Sequence, residues 1–266
     1  MTKIKSNFFI TFALNQLLKS IKNENNKIIK SSLSFYSKKK FEFDPVTKFD
    51  LSIEKILRSE IEKIFPDHSV IGEELESKIK NSGYTWILDP IDGTKALLLG
   101  QPTWSNLISL YKDKKQVFGI AHYPRLSKTY YSDEKNSFVI NSKVKKRIST
   151  SKNKVLINSK LVTNSIHTFV NKKIYRFFKD YPYFFKISGV DSYNFCLLAE
   201  GKIDIIIESG LKQVDILPVV SIVERAGGLI VNWEGGDDLS KGQIIACSNK
   251  ILLKNFLNYF NLNYKR

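Results

Sequence analysis

Carboxylates carry most of the chemistry available to this chain. The stretch Trp86-Ile87-Leu88-Asp89-Pro90-Ile91-Asp92-Gly93-Thr94 ends an apolar run in two aspartates flanking a proline, with glycine and threonine next. Asp89 and Asp92 are hard oxygen donors of the kind Mg²⁺ takes, and Pro90 restricts the backbone between them. A helix starting at Gly93-Thr94 would aim free N–H groups and a positive dipole end at the same point, where a phosphate could sit. An Asp-Pro turn followed by an ordinary helix cap uses the same residues, so this segment alone leaves both readings open.

Further acidic residues stand where apolar elements begin or end. Asp50 lies in the first turn of a helix opened by Thr47, Glu73 follows the strand-like Val70-Ile71-Gly72, and Asp215 stands at a helix entry before Pro218. Each has a structural alternative. Thr47-x-x-Asp50 is a capping box, Glu73 and Glu74 suit a helix dipole, and Asp215 suits an N-cap.

The elements that must position these groups are readable in outline. Residues 8–36 predict one or two amphipathic helices with Lys-rich outer faces, in preference to a signal peptide, because Asn15 and Gln16 interrupt the apolar run. Phe49, Ile53, Ile56, Leu57, Ile61 and Ile64 form the stripe of a second helix that Pro66 ends. Strands are expected at 69–72, 84–88, 107–111, 117–123, 128–132, 155–157, 203–207, 229–231 and 244–246. Helices are expected at 169–181, 191–200 and 216–226, the last with Pro218 in its first turn. The polar, basic stretch 141–154 predicts a boundary between halves. Strands and helices mix without strict alternation, which predicts an α+β chain of layered sheets and helices.

Composition narrows the function classes. The chain has 266 residues, 42% apolar, and no apolar run reaching the ~18 residues needed to span a bilayer. Cys196 and Cys247 have no Cys or His at metal spacing, so buried thiols in a cytoplasmic protein are expected. The net charge of +16 is mostly Lys, with Arg only at positions 58, 125, 147, 176, 225 and 266. Scarce Arg argues against a nucleic-acid surface, and solvated lysine faces are the better account. A positive field would still draw in an anionic phosphate.

Taken together, Ile71-Gly72-Glu73-Glu74, the 86–94 stretch, and Val214-Asp215 followed by Glu224-Arg225-Ala226-Gly227-Gly228 resemble the inositol monophosphatase family. The resemblance runs from about Pro45 to Ser248. It implies a layered α-β-α-β-α sandwich and a single domain over 1–266, with halves of about 1–145 and 150–266. It also implies Mg²⁺-dependent phosphomonoester hydrolysis by a homodimer, with neither nucleic acid nor membrane as partner. By that resemblance Glu73, Asp89 and the Ile91 carbonyl hold one ion, and Asp89, Asp92 and Asp215 a second. Glu73 would also serve a third through water, and Gly93 and Thr94 would bind the phosphate. Asp50 and Thr94 match the pair that orients and deprotonates the attacking water.

Within the family, Lys95-Ala96, Gly100 to Ile108, Val117 to Pro124, Asp191-Ser192-Tyr193, Glu208 with Gly210-Leu211, and Asn232 to Gly236 resemble the histidinol-phosphatase branch. That likeness implies L-histidinol phosphate as substrate, with Asp92, Asp191 and Glu208 facing its alcohol portion at the pocket mouth. Of these, the Asp191 and Glu208 carboxylates suit an ammonium and an imidazole. Inositol monophosphate, a nucleotide 3′-phosphate or a sugar bisphosphate are the alternatives within the family, and a non-catalytic basic nucleic-acid-associated protein is the alternative outside it. His122 and Trp104 are expected to pack, and Lys95 could face phosphate or solvent. The segment Glu42-Phe43-Asp44-Pro45-Val46-Thr47 departs from the family's Asp-Gly-Ser-Pro-Val-Thr, which bears on a third metal, and Gly189 precedes Val190 where the branch commonly has a second glycine.

Overall fold

Apolar periodicity accounts for the first layer. The computed structural model describes residues 3–30, 36–37, 45–163, 185–188 and 191–264. Helix α1 (Lys3–Phe12) continues through a π-helical turn at Ala13–Leu17 and a short α-helical end at Leu18–Ser20, and α2 (Lys22–Lys30) follows. Strands β1 (Tyr36–Ser37) and β2 (Pro45–Val46) pair antiparallel. Helix α3 (Lys48–Ile64) buries Phe49, Ile53, Leu57 and Ile61 at helical spacing. The predicted helix over 169–181 and the unusual residues Glu42–Asp44 lie outside the described residues.

A seven-stranded sheet comes next, in the order β3-β4-β5-β6-β7-β8-β9. Its strands are β3 (Ser69–Gly72), β4 (Tyr84–Asp92), β5 (Ser105–Lys112), β6 (Lys115–Tyr123), β7 (Lys128–Ser132), β8 (Ser137–Asn141) and β9 (Val144–Ile148). Only β3 and β4 pair parallel. The short helix α4 (Thr94–Leu98) follows β4. Two expectations are corrected here. Strand β4 does not stop at Leu88 but runs through Pro90 to Asp92. The basic 141–154 stretch is not all loop, because Val144-Lys-Lys-Arg-Ile148 is the edge strand β9, the last of this sheet, and exposed charge suits an edge that must not recruit another chain.

The second sheet has the order β11-β10-β12-β14-β13, from β10 (Lys160–Thr163), β11 (Phe185–Ser188), β12 (Ile205–Glu208), β13 (Leu229–Asn232) and β14 (Ile244–Cys247). Residues 155–157, expected as a strand, are replaced by a 3₁₀ turn at Leu156–Asn158 whose Leu156 carbonyl accepts from Ser159. Helices α5 (Asp191–Ala199) and α6 (Gln213–Glu224) lie between the sheets, and α7 (Lys250–Tyr264), not foreseen, covers the outer face. Helix α6 begins earlier than expected, so Pro218 is inside it and not in its first turn. Around this proline the Leu217 carbonyl accepts from Tyr111 Oη (3.3 Å) and Gln116 Nε2 (2.6 Å), and Ser221 N donates to Gln116 Oε1. Partners from β5 and β6 thus seat the helix where proline interrupts its ladder.

Alternation assigns the layers. Trp86, Leu88, Leu110, Phe118 and Ile120 pack with α1–α3, while Leu107, Ala121 and Tyr123 pack with α5 and α6 on the other face. In the second sheet Ile206 and Ala246 face α5 and α6, and Ile205, Ile207, Ile245 and Cys247 face Phe256 and Phe260 of α7. The result is an α-β-α-β-α sandwich. Cys196 and Cys247 are buried free thiols, and burial pushes both upward in pKa. Among the described residues no helix is long and apolar enough to cross a membrane.

Candidate active site

The central aspartate pair is made by a defect in the sheet. Residues three apart on a regular strand point to opposite faces. Here Asp89 pairs with Leu107 and Asp92 with Ser105, so three steps on β4 match two on β5. The extra residue is a bulge, and it returns Asp89 and Asp92 to one face, the face that α5 and α6 cover. Pro90 has no N–H to lose from the ladder, which is why a strand tolerates it there. Gly93 then turns the chain at φ 78° into α4, a conformation that favours glycine, and Thr94 Oγ1 donates to the Ile91 carbonyl at 3.0 Å.

Asp50 is held by its own helix start. Its Oδ2 accepts from Thr47 N (2.8 Å) and Thr47 Oγ1 (2.6 Å), while Thr47 Oγ1 accepts from Phe49 N (3.1 Å). One turn on, Glu54 and Arg58 form a buried ion pair at 2.8 Å. Glu54 accepts from Glu74 N (2.8 Å) and Leu75 N (3.2 Å), and Arg58 Nη2 donates to the Leu75 carbonyl (3.1 Å). Arg58 Nη1 also donates to the Val70 carbonyl at 3.5 Å, so the clamp fixes the chain on either side of Glu73. Gly72 is required beside it, because a Cβ there would collide with the Glu54 carboxylate. An acid and a base four apart beside the α3 stripe were visible in the sequence, but their role was not.

Asp215 is the third residue of α6 and not its N-cap, which is Lys212, and its Oδ2 accepts from Lys212 N at 2.7 Å. Lys212 Nζ donates to Glu73 Oε1 at 2.7 Å, which brings a cation to the cluster that sequence reasoning did not foresee. Asp92 Oδ2 accepts from Ser105 Oγ (3.3 Å) and from Ser192 N in the first turn of α5 (3.2 Å).

Glu73, Asp89 and Asp215 each present a carboxylate oxygen within 4.8 Å of the other two. Oxygens bound to one Mg²⁺ at ~2.1 Å lie at most about 4.2 Å apart, so the trio is near ligand geometry. Asp92 is outside this closest group but near enough for its charge to act on Asp89. Burial, then the charges of Glu73, Asp92, Asp215 and Asp50, hold the Asp89 carboxyl well above the usual range. Asp89 Oδ1 is buried with no hydrogen-bond partner. An acceptor-only oxygen in an acidic cluster fits a bound cation, and these donors are the hard oxygens that Mg²⁺ takes. Burial lifts Asp50 to about 6, against the bonds from Thr47 that lower it, with the Glu73 charge adding slightly.

Residues expected at the substrate side are more dispersed. The Asp191 backbone opens α5. Glu208 is wholly buried at the end of β12, where its Oε1 accepts from Asn194 Nδ2 at 3.0 Å, which differs from the expected place at an open mouth. Trp104 is fully buried, His122 is bonded to Thr129 Oγ1 at 2.8 Å, and Lys95 is exposed on α4.

A model of the inositol monophosphatase family matches residues 9–263. The chain belongs to this family. It is 35% identical over 210 residues to the bifunctional phosphatase IMPL2, chloroplastic, of Arabidopsis thaliana, covering 75% of this chain and 60%, less than two thirds, of that protein. Inositol monophosphatase 1 of Bos taurus is 33% identical over 88% of this chain and 84% of its own. A histidinol-phosphatase of Chlorobaculum parvum is 26% identical over 85% and 86% respectively. An inositol monophosphatase from Zymomonas mobilis superposes with a TM-score of 0.78 at 27% identity, covering 91% of this chain and 94% of that one.

Proposed function

We propose that this inositol monophosphatase family phosphatase hydrolyses L-histidinol phosphate to L-histidinol and phosphate at the Glu73–Asp89–Asp215 cluster. The hydrolase reading is carried by Asp89, a solvent-excluded carboxylate with one oxygen lacking a partner and Glu73, Asp92, Asp215 and Asp50 around it. In this reading Glu73, Asp89, the Ile91 carbonyl, Asp92 and Asp215 hold two or three Mg²⁺ ions. The Ile91 carbonyl has a second lone pair beside the one Thr94 uses. When bound, Mg²⁺ would neutralise the phosphate dianion and acidify a water.

The protein's own groups do the rest. Asp50, lifted to about 6, takes a proton near neutral pH, with Thr94 orienting the water and Glu73 assisting. The backbone N–H groups of Gly93 and Thr94 receive phosphate oxygens. Helix α5 links the two ends of the substrate, because Ser192 N holds Asp92 while Asn194 holds Glu208. Asp191 is proposed to meet the cationic end of the substrate, while Glu208, wholly buried on Asn194, holds that amide from inside the protein. The histidinol-phosphatase of Chlorobaculum parvum supports this substrate, whereas the higher identity to a bovine inositol monophosphatase supports inositol monophosphate as a second reading. A homodimer in the cytoplasm completes the proposal. A phosphate-release panel with Mg²⁺ tests it: release should be far faster from histidinol phosphate than from inositol phosphates. The reverse order would remove the substrate assignment, and release from no phosphomonoester would remove the hydrolase reading.

A further inference from the structure

The bulge that unites Asp89 and Asp92 leaves the Pro90 carbonyl outside the regular β4–β5 ladder. Asn106 lies on β5 between the two residues that flank the bulge in register, Ser105 and Leu107. Its Nδ2 donates to the Pro90 carbonyl at 2.7 Å. Its Oδ1 accepts from Asn25 Nδ2 of α2 at 2.8 Å, and its Nδ2 also approaches Asn25 Oδ1 at 3.4 Å. Both amides are buried, at 0% and 2% exposure. Leu107 faces α5 and α6, so alternation turns Asn106 to the opposite face, where α2 packs. The brace therefore grips the bulge from behind, on the side of the sheet away from the carboxylates.

We propose that Asn106, supported by Asn25, is a positioning residue for the metal cluster: its amide holds the Pro90 carbonyl and thereby sets the spacing of Asp89, Ile91 and Asp92. The inference rests on the metal-dependent reading above. Buried amides are costly to leave unmatched, and an apolar pair would fill this space without that cost, so a polar pair aimed at one carbonyl needs a reason. The bulge supplies it. Groups that orient ligands from behind typically matter 10–100-fold in metal affinity.

The experiment measures Mg²⁺ and Mn²⁺ affinity by titration calorimetry and by Mn²⁺ electron paramagnetic resonance, beside the Tm of the metal-free protein. Asn106→Leu and the milder Asn106→Ser should each weaken ion binding about 10–100-fold. Ser137→Ala removes a buried bond to the Ile222 carbonyl, about two turns along α6 from Asp215, and should lower Tm while leaving ion affinity unchanged. The double variant Asn25→Leu/Asn106→Leu removes both amides together. It should recover much of the Tm lost by Asn106→Leu, yet still bind the ion weakly. If Asn106→Leu does not fold, the serine and double variants decide the matter. Wild-type ion affinity in any folded Asn106 variant would overturn the brace and leave the hydrolase reading standing. Absence of ion binding by the wild type would overturn both.

Discussion

Glu54 and Asp89 are both removed from solvent, and the chain treats them in opposite ways. Glu54 has Arg58 at 2.8 Å and backbone N–H groups from Glu74 and Leu75 on its oxygens. Asp89 has one oxygen with no hydrogen-bond partner and the charges of Glu73, Asp92, Asp215 and Asp50 nearby. The first carboxylate is neutralised from within and serves as scaffolding. The second is assembled so that compensation must come from outside. Burial alone therefore does not mark a functional acid; the mismatch between burial and compensation does.

That contrast is sharpest under mutation. Asp89→Asn should lower phosphate release by on the order of 10³-fold or more and abolish any Mg²⁺-dependent rise in Tm, because a ligand is lost. The same change should raise the Tm of the metal-free protein by removing like-charge repulsion. A fall in metal-free Tm would break the comparison. Arg58→Met should do the reverse, destabilising the fold by about 3–5 kcal/mol in chemical denaturation because Glu54 is left charged and unpaired.

Adding Mg²⁺ at 100 times its dissociation constant should stabilise the wild type by about 2.7 kcal/mol, reversed by a chelator. Acid should also act through two histidines. Desolvation depresses His68 and His122 to about 4, and Trp86 Nε1 donates to His68 Nδ1 at 3.0 Å. Both rings are less basic folded than unfolded, so the unfolded chain binds more protons between pH 6.5 and 4. Their contribution is complete above about pH 6.5 and is lost as pH falls toward 4, with His68, only half-buried, contributing less. Asp50 and Asp89, raised by burial, act in the opposite sense over the same window, so the histidine part is read by difference: as pH falls, the denaturation midpoint of His122→Asn should lose less than that of the wild type. The smallest effect is expected at Lys212→Met. Removing a half-exposed cation from Glu73 should tighten Mg²⁺ binding a few-fold at most, read by calorimetry.

Much of the architecture was legible because it rests on local periodicity. The stripe of α3 and strand β7 were readable from spacing, as was the Thr47–Asp50 cap. Expectations failed where composition stood in for geometry. Strand β9 was missed inside the basic 141–154 stretch because edge strands carry charge for reasons that periodicity does not encode. Residues 155–157 are apolar enough for a strand, but the chain tightens into a 3₁₀ turn. Pro218 looked like a first-turn proline, while partners on β5 and β6 let it sit deeper in α6.

The amino-acid sequence by itself determined which hard donors exist, where glycine must turn the chain after Asp92, and which faces of the elements are apolar. These depend on side-chain chemistry and on contacts a few residues apart. Only the tertiary structure decided that Asp89 and Asp92 share a face, that Glu73 and Asp215 meet Asp89, and that Asn25 reaches Asn106 across the sheet. Those outcomes follow from strand register and layer packing, which close contacts between residues far apart in the chain and so leave no local pattern to read.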